Sequence, residues 1–338
     1  MTKKFQNTQI YQELVDSIGI TIENARQRAF QVVNNELLQA NWEIGKYIVE
    51  FEQQGNEKAD YGSALLTNLS KDLKTRFGKG FSKSNIYLMR QFYLKYQIFQ
   101  SVTGKLTWTH YAELLSVSED IARKFYEKQA INENWSVREL KRQINSSLFE
   151  RLALSKDKNG VLKLAEKGQI IIKPSDIVKD PYVLEFLQIP EVYRMTESKL
   201  EQKIIDNLQT FLLELGKGFS FIGRQYRVTL DNEHFYVDLV FYHRILKCFV
   251  LIDLKTKHVK HQDIGQMNMY LNYFKVEENI EGDNPPIGIV LGADKNDILV
   301  EYAIGGISNN IFVSKYQLYL PDRNVLEQKV KELMNELN

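Results

Sequence analysis

The segment Asp253-Leu254-Lys255 places a carboxylate and an ammonium two residues apart at the end of an apolar run. The chain also has acid-x-lysine triplets that begin at Asp72, Glu139, Glu201 and Glu327. Those four fall on predicted helices, where residues two apart do not face each other. On a strand, positions two apart share one face. The sequence therefore directs the two charged groups to the same side only in the triplet at 253–255.

A second carboxylate, Asp238, interrupts another apolar predicted strand. If residues 244–247 form a four-residue loop between the two strands, His243 pairs with Cys248 and Asp238 lies opposite Asp253. Directly opposed Cβ atoms on neighbouring strands are about 4.5–5.5 Å apart. A loop one residue longer or shorter would place the two acids on opposite faces, because the side-chain period of a strand is two.

Two carboxylates this close inside apolar strands repel each other, so one must be protonated or a cation must lie between them. Lys255 would compensate part of the negative charge of Asp238 and Asp253. A divalent cation would compensate more, and Mg²⁺ prefers carboxylate, carbonyl and water oxygens. The pair of acids therefore indicates chemistry that depends on a metal ion.

Three further polar side chains fit around these strands. Glu201 lies on the core-facing side of a predicted amphipathic helix, and Glu197, one turn earlier, is a rival for the same role. Gln266 and Tyr270 are four residues apart on the helix predicted after the strands, so they share a face. Each feature alone is also typical of a packed helix face or a salt bridge at a sheet edge. Their order, helix, strand, strand and helix, favours one shared site.

This order of residues resembles the PD-(D/E)XK nuclease superfamily and, more narrowly, the YhcG-type nucleases of bacteria. In the second half of the chain the resemblance lies in Gly223-Arg-Gln225, Tyr236–His243, Ile252–Lys255 and Gly265–Tyr273. In the first half, five segments are similar to that family's helical N-terminal domain of unknown function: Trp42–Lys46, Phe77–Ser82, Met89–Tyr93, Leu106–Tyr111 and Trp135–Leu140. The resemblance covers residues 20–330. Val237 stands where the superfamily usually has proline, at a position that is not a metal ligand.

The resemblance implies a nuclease that hydrolyses phosphodiester bonds with Mg²⁺, for which Mn²⁺ could substitute. Asp238, Asp253 and the main-chain carbonyl of Leu254 would hold the ion. Glu201 would assist at the metal, directly or through water. The implied substrate is nucleic acid, with DNA favoured over RNA. The implied biological roles are genome defence, mobile elements or repair, and the resemblance does not choose among them.

The resemblance also implies roles for the remaining candidates. Lys255 would orient or activate the attacking water and stabilise charge on the phosphate. Gln266 would position a ligand or the nucleic-acid backbone, and Tyr270 belongs to the same candidate catalytic set.

The elements that must position these residues fall into two halves. All six prolines lie at or after Pro174, and a proline-free stretch predicts a helical first half. The predicted fold class is α/β (α+β). It combines a helical N-terminal domain at 1–154, a linker at 155–182, and a restriction-endonuclease-like domain at 183–338 with a central mixed sheet flanked by helices. Continuous helices are predicted over 136–154 and 196–215.

Composition excludes several other classes of protein. The 338 residues carry 44 Lys and Arg against 43 Asp and Glu, a formal charge of +1. A single cysteine, Cys248, excludes an internal disulfide framework and a cysteine-rich zinc site. The longest apolar run, Cys248–Ile252, is far shorter than the ~18 residues of a membrane helix, and the N-terminus has no apolar signal core. A cytoplasmic protein with no membrane partner is expected, and a homo-oligomer stays open.

The near-zero charge hides an uneven distribution, because residues 61–100 hold seven basic residues against one acid. The basic residues are Lys71, Lys74, Arg76, Lys79, Lys83, Arg90 and Lys95. Interleaved aromatic residues suit contact with a nucleic-acid backbone, although a solvated helix face over core aromatics is the alternative. Arg224 completes the set of candidate nucleic-acid-binding residues.

An alternative function stays open at this point. The chain could be a non-catalytic DNA-binding or protein-interaction module that keeps a nuclease-like fold. Such a protein would bind DNA in a salt-sensitive way that does not change with Asp253→Ala, and it would show no turnover with any metal.

Overall fold

The structure is a computed structural model that describes residues 9–54, 59–99, 104–190, 195–307 and 310–335. The chain divides into two compact units, Met1–Arg123 and Lys124–Asn338. The boundary between these compact units therefore lies before the predicted linker, which begins at residue 155. The domain bounds at 154 and 182 stay a prediction.

The first unit is helical in its described residues. Its helices are α1 (Gln9–Gln54), α2 (Ala59–Phe77), α3 (Lys83–Lys95) and α4 (Trp108–Leu114), and α5 (Asp120–Glu133) runs across the division. Ser82 is the N-cap of α3, because its hydroxyl accepts a hydrogen bond from the Asn85 N–H. Leu38, Ile86 and Phe92 are buried in this unit.

After α5, the described residues form five further α-helices before the main strands of the second unit. They are α6 (Val137–Asn145), α7 (Leu148–Ala153), α8 (Lys158–Lys167), α9 (Glu197–Asp206) and α10 (Leu208–Leu215). The capping box of Ser136 and Glu139 forms as expected at the start of α6. The segment expected to be a linker contains α8 and ends at Tyr182, the first residue of a short strand, β1 (Tyr182–Val183), and both strand residues are buried.

The two long helices predicted around these elements are each interrupted, so both predictions of a continuous helix are wrong. Ser147 has a left-handed φ of 52° between α6 and α7. Asn207 departs from helical geometry between α9 and α10, and its side-chain amide donates to the Lys203 carbonyl. The Asn207 side chain thereby offers the backbone a local alternative to the helix, whereas the buried Ser147 hydroxyl has no hydrogen-bond partner in the described residues.

A mixed sheet forms the centre of the second unit, as the sequence predicts, and it has six strands. Its other strands are β2 (Phe219–Leu230), β3 (Glu233–His243), β4 (Cys248–His258), β5 (Ile287–Asp294) and β6 (Asn310–Gln317). The strand order is β1-β6-β5-β4-β3-β2. Strands β2, β3 and β4 are antiparallel neighbours, whereas β4, β5, β6 and β1 run parallel.

Helices cover both faces of this sheet. Leu200, Ile204 and Phe211 of α9 and α10 pack with one set of buried strand residues. Helix α11 (His261–Tyr273) packs on the other face through residues such as Met267 and Leu271. Helices α12 (Asp297–Ile304) and α13 (Arg323–Asn335) complete the unit. Among the described residues, no helix combines the length and apolarity needed to cross a bilayer.

A buried ionic cluster ties α6, α7 and α10 together. The Glu214 carboxylate is fully buried and lies 2.7 Å from Arg151 Nη1 and 3.1 Å from Arg142 Nη1. It also accepts a hydrogen bond from the Val183 N–H of β1. Glu214 thereby links three helices to the edge of the sheet.

Candidate active site

The candidate site lies where β3 and β4 diverge. Their regular pairing runs from His243–Cys248 to Leu239–Ile252, which confirms the predicted four-residue loop and register. Asp238 and Asp253 occupy the next position beyond the last pair. There the Asp238 Oδ2 atom accepts a hydrogen bond from the Leu254 N–H at 2.7 Å. The two acids therefore meet at this end of the strand pair.

The surroundings of both acids disfavour their charged forms. Burial, followed by the charge of Asp238, raises the pKa of Asp253 to about 7, and Lys255 offsets only part of that rise. Burial also raises the pKa of Asp238, against the opposing effect of the Leu254 N–H. Asp253 is only 3% exposed. The pair thus carries negative charge that the protein does not fully compensate.

Lys255 supplies the nearest positive charge. Its Nζ atom lies 2.7 Å from Asp253 Oδ2, 3.9 Å from Asp263 Oδ1 and 4.0 Å from Glu197 Oε2. Burial acts to lower the pKa of Lys255, but Asp253 and the other carboxylates raise it above its ordinary value. The ammonium is therefore charged at neutral pH and is held among acidic side chains.

Gln225, to which sequence reasoning assigned no role, bridges two of the candidate residues. Its Nε2 donates to Glu201 Oε2 at 2.6 Å and to Asp238 Oδ1 at 3.0 Å. Gln225 lies on β2 with a left-handed φ of 47°, a conformation uncommon for a residue other than glycine. A register shift between Phe221 and Gly223 precedes it. Glycine in a strand interior often marks such an irregularity, and Gly223 was the available signal.

Helix α9 contributes both acids that the sequence left as rivals. Glu201 is buried and reaches Asp238 through Gln225, and burial raises its pKa. Glu197, one turn earlier, accepts a hydrogen bond from the Thr256 N–H at 3.3 Å and lies beside Lys255. The two glutamates therefore serve different ends of the site, Glu201 near Asp238 and Glu197 near Lys255.

Gln266 and Tyr270 of α11 share a face, as their spacing predicts. Gln266 Nε2 donates to the Tyr270 hydroxyl at 2.5 Å, and that hydroxyl donates to the Tyr236 carbonyl of β3 at 3.0 Å. Tyr270 is fully buried. These contacts hold α11 against the strand that carries Asp238, which gives Tyr270 a positioning role. Gln266 is partly exposed and stays available to a ligand.

The donor set suits a hard divalent ion. The Asp253 Oδ2 atom is buried and has no well-aligned hydrogen-bond donor in the described part of the chain, although the Lys255 ammonium lies nearby. The described residues contain no group of three or more His, Cys, Asp or Glu side chains arranged around one metal position. Two carboxylates with a main-chain carbonyl and water match Mg²⁺, which usually keeps several waters and one or two carboxylate ligands.

The predicted nucleic-acid-binding residues lie in both units. In the first unit the five exposed ones are Lys71, Lys74, Arg76, Lys79 and Lys83. Arg90 instead pairs with Glu52 at 2.7 Å, and Lys95 donates to the Ser118 carbonyl at 3.3 Å.

Two of the interleaved aromatic residues belong to the core of the first unit. Phe92 and Tyr96 are buried and pack against Tyr111. The aromatic part of the predicted nucleic-acid surface is therefore partly structural.

Arg224 is the one candidate nucleic-acid-binding residue in the second unit. Its Nη1 donates to Gln202 Oε1 at 2.7 Å, and its Nε lies 4.0 Å from Glu201 Oε1. The structure thus places Arg224 beside the acidic site rather than on a separate surface.

Comparison with known families matches both parts of the chain. The YhcG PDDEXK nuclease domain matches residues 175–333, and the DUF1016 N-terminal domain matches residues 17–151. A protein of Escherichia coli (strain K12) named "Putative nuclease YhcG" is 40% identical over 352 residues, which cover 95% of this chain and 93% of that protein.

Two solved structures show weaker similarity. A repair endonuclease from Pyrococcus abyssi is 17% identical over 39% of this chain and 50% of its own, with a TM-score of 0.27. An EndoMS–dsDNA2 complex is 15% identical over 40% of this chain and 51% of its own, with a TM-score of 0.26. Both scores are low, so family membership depends on the domain matches and the E. coli relative.

Proposed function

The chain belongs to the YhcG family of PDDEXK nucleases, and from that membership we propose that it hydrolyses phosphodiester bonds of DNA with a divalent metal ion bound at Asp238 and Asp253. Mg²⁺ is the proposed ion, and Mn²⁺ the proposed substitute. The observation that carries the proposal is the half-buried Asp238 with the buried Asp253 beside Lys255, where the pKa of Asp253 is raised to about 7. A cation between the two acids would relieve their repulsion.

The side chains divide the work in a way that follows from their contacts. Asp238, Asp253 and the Leu254 carbonyl would hold the ion, which when bound supplies Lewis-acid assistance to the phosphate and a more acidic water. Gln225 fixes the Asp238 carboxylate through one hydrogen bond and Glu201 through the other. Glu201 therefore acts on the ion indirectly in this proposal.

Lys255 is the group placed to meet the substrate phosphate. Its ammonium is anchored by Asp253, with Glu197 and Asp263 further away. Because it is charged and partly exposed, it can donate to the attacking water or to a phosphate oxygen. Gln266 would position the nucleic-acid backbone on the other side of the site. Tyr270 would keep α11 in place through the Tyr236 carbonyl.

The wider parts of the proposal rest on the family and on charge. The five exposed basic residues of α2, the turn after it and the start of α3 would contact the nucleic-acid backbone, since such contacts need only positive charge at the surface. A role in defence, mobile elements or repair, a bacterial source and a cytoplasmic location stay predictions.

The test uses the purified full chain with linear duplex DNA, supercoiled plasmid, single-stranded DNA and RNA, in EDTA, Mg²⁺ or Mn²⁺. Wild type should cleave DNA with either metal and should not cleave it in EDTA. Asp253→Asn should lower the cleavage rate by more than about 100-fold, since even outer-shell partners of a metal are worth 10–100-fold.

Asp231→Asn is the matched control, because Asp231 is an exposed residue of the β2–β3 turn and asparagine tolerates its left-handed φ of 45°. It should cleave like wild type. Cleavage that persists in Asp253→Asn would point to a contaminating nuclease and would sink the proposal. DNA binding without turnover under any metal would instead favour a non-catalytic binding module.

A further inference from the structure

A large cavity lies beside the candidate active site at the carboxyl ends of the parallel strands. Its volume is about 1210 Å³, and its lining includes Thr256 and Lys257 of β4, Asp294 of β5 and Tyr319 after β6. Thr256 follows Lys255 directly, and its N–H is bound to Glu197 of the site. Ligands of open α/β sheets commonly bind at this edge. A substrate whose phosphate lies at Lys255 could therefore extend into the cavity.

An irregularity in β4 turns its last residues toward this cavity. Lys255 pairs with Gly292 and His258 with Asp294, so β4 holds one more residue than β5 over the same distance. Such a bulge re-aims side chains and is common next to active sites. Thr256 and Lys257 both line the cavity as a result, whereas regular alternation would direct them to opposite faces.

The lining of the cavity holds three lysines and three aspartates, whose formal charges cancel. Lys295 is paired with Asp180, and it lies 3.1 Å from Asp297. Lys315 lies 2.7 Å from Asp294. Lys257 is exposed, and the described residues show no ion pair for it.

Balanced charge suits a nucleobase better than a phosphate, because paired acids and amines offer hydrogen bonds without a net field. The single unpaired ammonium suits one phosphate. The lining therefore suits a nucleotide with its base inside the cavity and its phosphate near Lys257.

Tyr319 supplies a stacking surface at the cavity. Its side chain is 51% exposed, which is high for an aromatic residue that also lines a cavity. Aromatic side chains bind single-stranded nucleic acid by stacking on the bases. A base inside a duplex is paired and stacked and cannot enter a cavity without leaving the helix.

We propose that this cavity binds an unpaired nucleotide of the substrate strand next to the scissile phosphate, with its base against Tyr319 and its phosphate at Lys257. This inference rests on the proposed nuclease function and names its substrate class, which is DNA with unpaired nucleotides beside the cleaved bond. Single-stranded DNA, flaps and gapped duplexes satisfy that requirement, whereas fully paired duplex does not.

The test measures binding and cleavage separately. Binding is followed in the Asp253→Asn background with an oligonucleotide that carries 2-aminopurine at an unpaired position, and with a fully paired duplex of the same length. The 2-aminopurine fluorescence should fall on binding, since stacking quenches it. Tyr319→Ala should abolish the quenching and weaken binding of the unpaired DNA about 10-fold, within the range for one stacked base. Tyr319→Phe should keep the quenching and the affinity of wild type.

Two matched variants control for non-specific effects. Tyr302→Ala removes an 83% exposed tyrosine outside the cavity lining and should leave quenching and affinity unchanged. Lys257→Gln should lower the slope of log affinity against log salt by about 0.7, the value for one phosphate contact on a single strand. Lys247→Gln, at the opposite end of β4, should leave that slope as in wild type.

The outcomes separate the two proposals. If wild type cleaves no nucleic acid but the binding results hold, the proposed function fails and the cavity still binds an unpaired nucleotide. If wild type cleaves fully paired duplex as fast as single-stranded and flapped DNA, and Tyr319→Ala changes neither quenching nor affinity, the inference is overturned while the nuclease stands. If Lys257→Gln leaves the slope of log affinity against log salt unchanged, the proposed contact between Lys257 and the phosphate is wrong.

Discussion

The Asp238 side chain accepts a hydrogen bond from the main-chain N–H of Leu254 at 2.7 Å. It therefore takes the place of a strand partner at the point where regular β3–β4 pairing ends. A strand residue directs its N–H and C=O toward the same neighbouring strand, so the Leu254 carbonyl faces the same side as Asp238. This contact brings one proposed metal ligand to another, and it explains why the strands can diverge here without losing the hydrogen bond.

Gln225→Gly should separate activity from stability. The variant removes the amide that bridges Glu201 and Asp238, and cleavage should fall by about 10–100-fold, as for outer-shell partners of a metal. Glycine also adopts the left-handed backbone conformation of position 225 without strain, whereas that conformation costs other residues about 1–2 kcal/mol. The Tm, measured by circular dichroism, should therefore stay the same or rise.

Asn232→Gly is the control for this variant, because Asn232 has a left-handed φ of 66° in the β2–β3 turn and makes no contact with the acids in the described structure. It should keep full activity. Full activity in Gln225→Gly would show that the bridge does not matter for catalysis.

The contrast between Asp238 and Gln225 shows how much of the site the sequence could predict. The register of Asp238 depends only on loop length and a period of two, and both can be counted along the chain. The role of Gln225 depends on one left-handed residue beside a register shift in β2. Nothing in the composition of that strand marks the left-handed residue, and Gly223 only indicates an irregularity nearby.

The fold, like the site, was predictable from the sequence only in part. The apolar runs and the loop at 244–247 predicted the pairing of β3 with β4 correctly, and both strands are largely buried next to that loop. The single helix predicted over 196–215 failed at Asn207, because apolar periodicity continues through a local break that one side chain makes. Glu201 could be placed on the core side, but its distance from Asp238 could not be read from the sequence.

Glu201→Gln and Glu197→Gln should have different kinetic effects. Glu201 acts near Asp238, so its loss should raise the Mg²⁺ concentration needed for half-maximal cleavage. Glu197 contacts Lys255 and the Thr256 N–H, so its loss should lower kcat with little change in the metal requirement. Metal titrations of the cleavage rate measure both quantities. Identical shifts in the metal requirement would contradict the separation of roles.

Divalent metal should stabilise the wild-type protein. A ligand at about 100 times its Kd adds about 2.7 kcal/mol to the free energy of unfolding, which corresponds to several degrees of Tm for a unit of this size. Differential scanning fluorimetry with Mg²⁺ and with EDTA measures the shift. Asp253→Asn should lose it, whereas Asp231→Asn should keep it. An equal shift in all three proteins would place the metal elsewhere.

Tyr270→Phe should cost stability more than catalysis. The hydroxyl donates to the Tyr236 carbonyl and accepts from Gln266, so its removal leaves partly buried polar groups without that partner. Such losses cost about 1–3 kcal/mol. Chemical denaturation should show the decrease, and kcat should fall less than in Lys255→Met. A kcat loss as large as that of Lys255→Met would make the hydroxyl part of the chemistry.

The Glu214 cluster should make the free energy of unfolding fall as the pH is lowered. Burial opposes ionisation of Glu214, but Arg151, Lys179 and Arg142 lower its pKa to about 2, below its ordinary value of 4.5. A carboxyl with a lowered folded-state pKa contributes stability above pH 4.5 and loses it as pH falls toward 2. By linkage this contribution is on the order of 3 kcal/mol, and it is independent of the active site.

Glu214→Gln tests this cluster. The variant leaves Arg142, Arg151 and Lys179 around a neutral amide, and breaking a buried ionic group in this way costs about 3–5 kcal/mol. Its free energy of unfolding, measured with urea at neutral pH, should fall by that amount. Its stability should also decline less steeply between pH 4.5 and 2 than that of wild type. Glu166→Gln, an exposed change on α8, should match wild type at every pH, and equal acid sensitivity in Glu214→Gln would contradict the assignment.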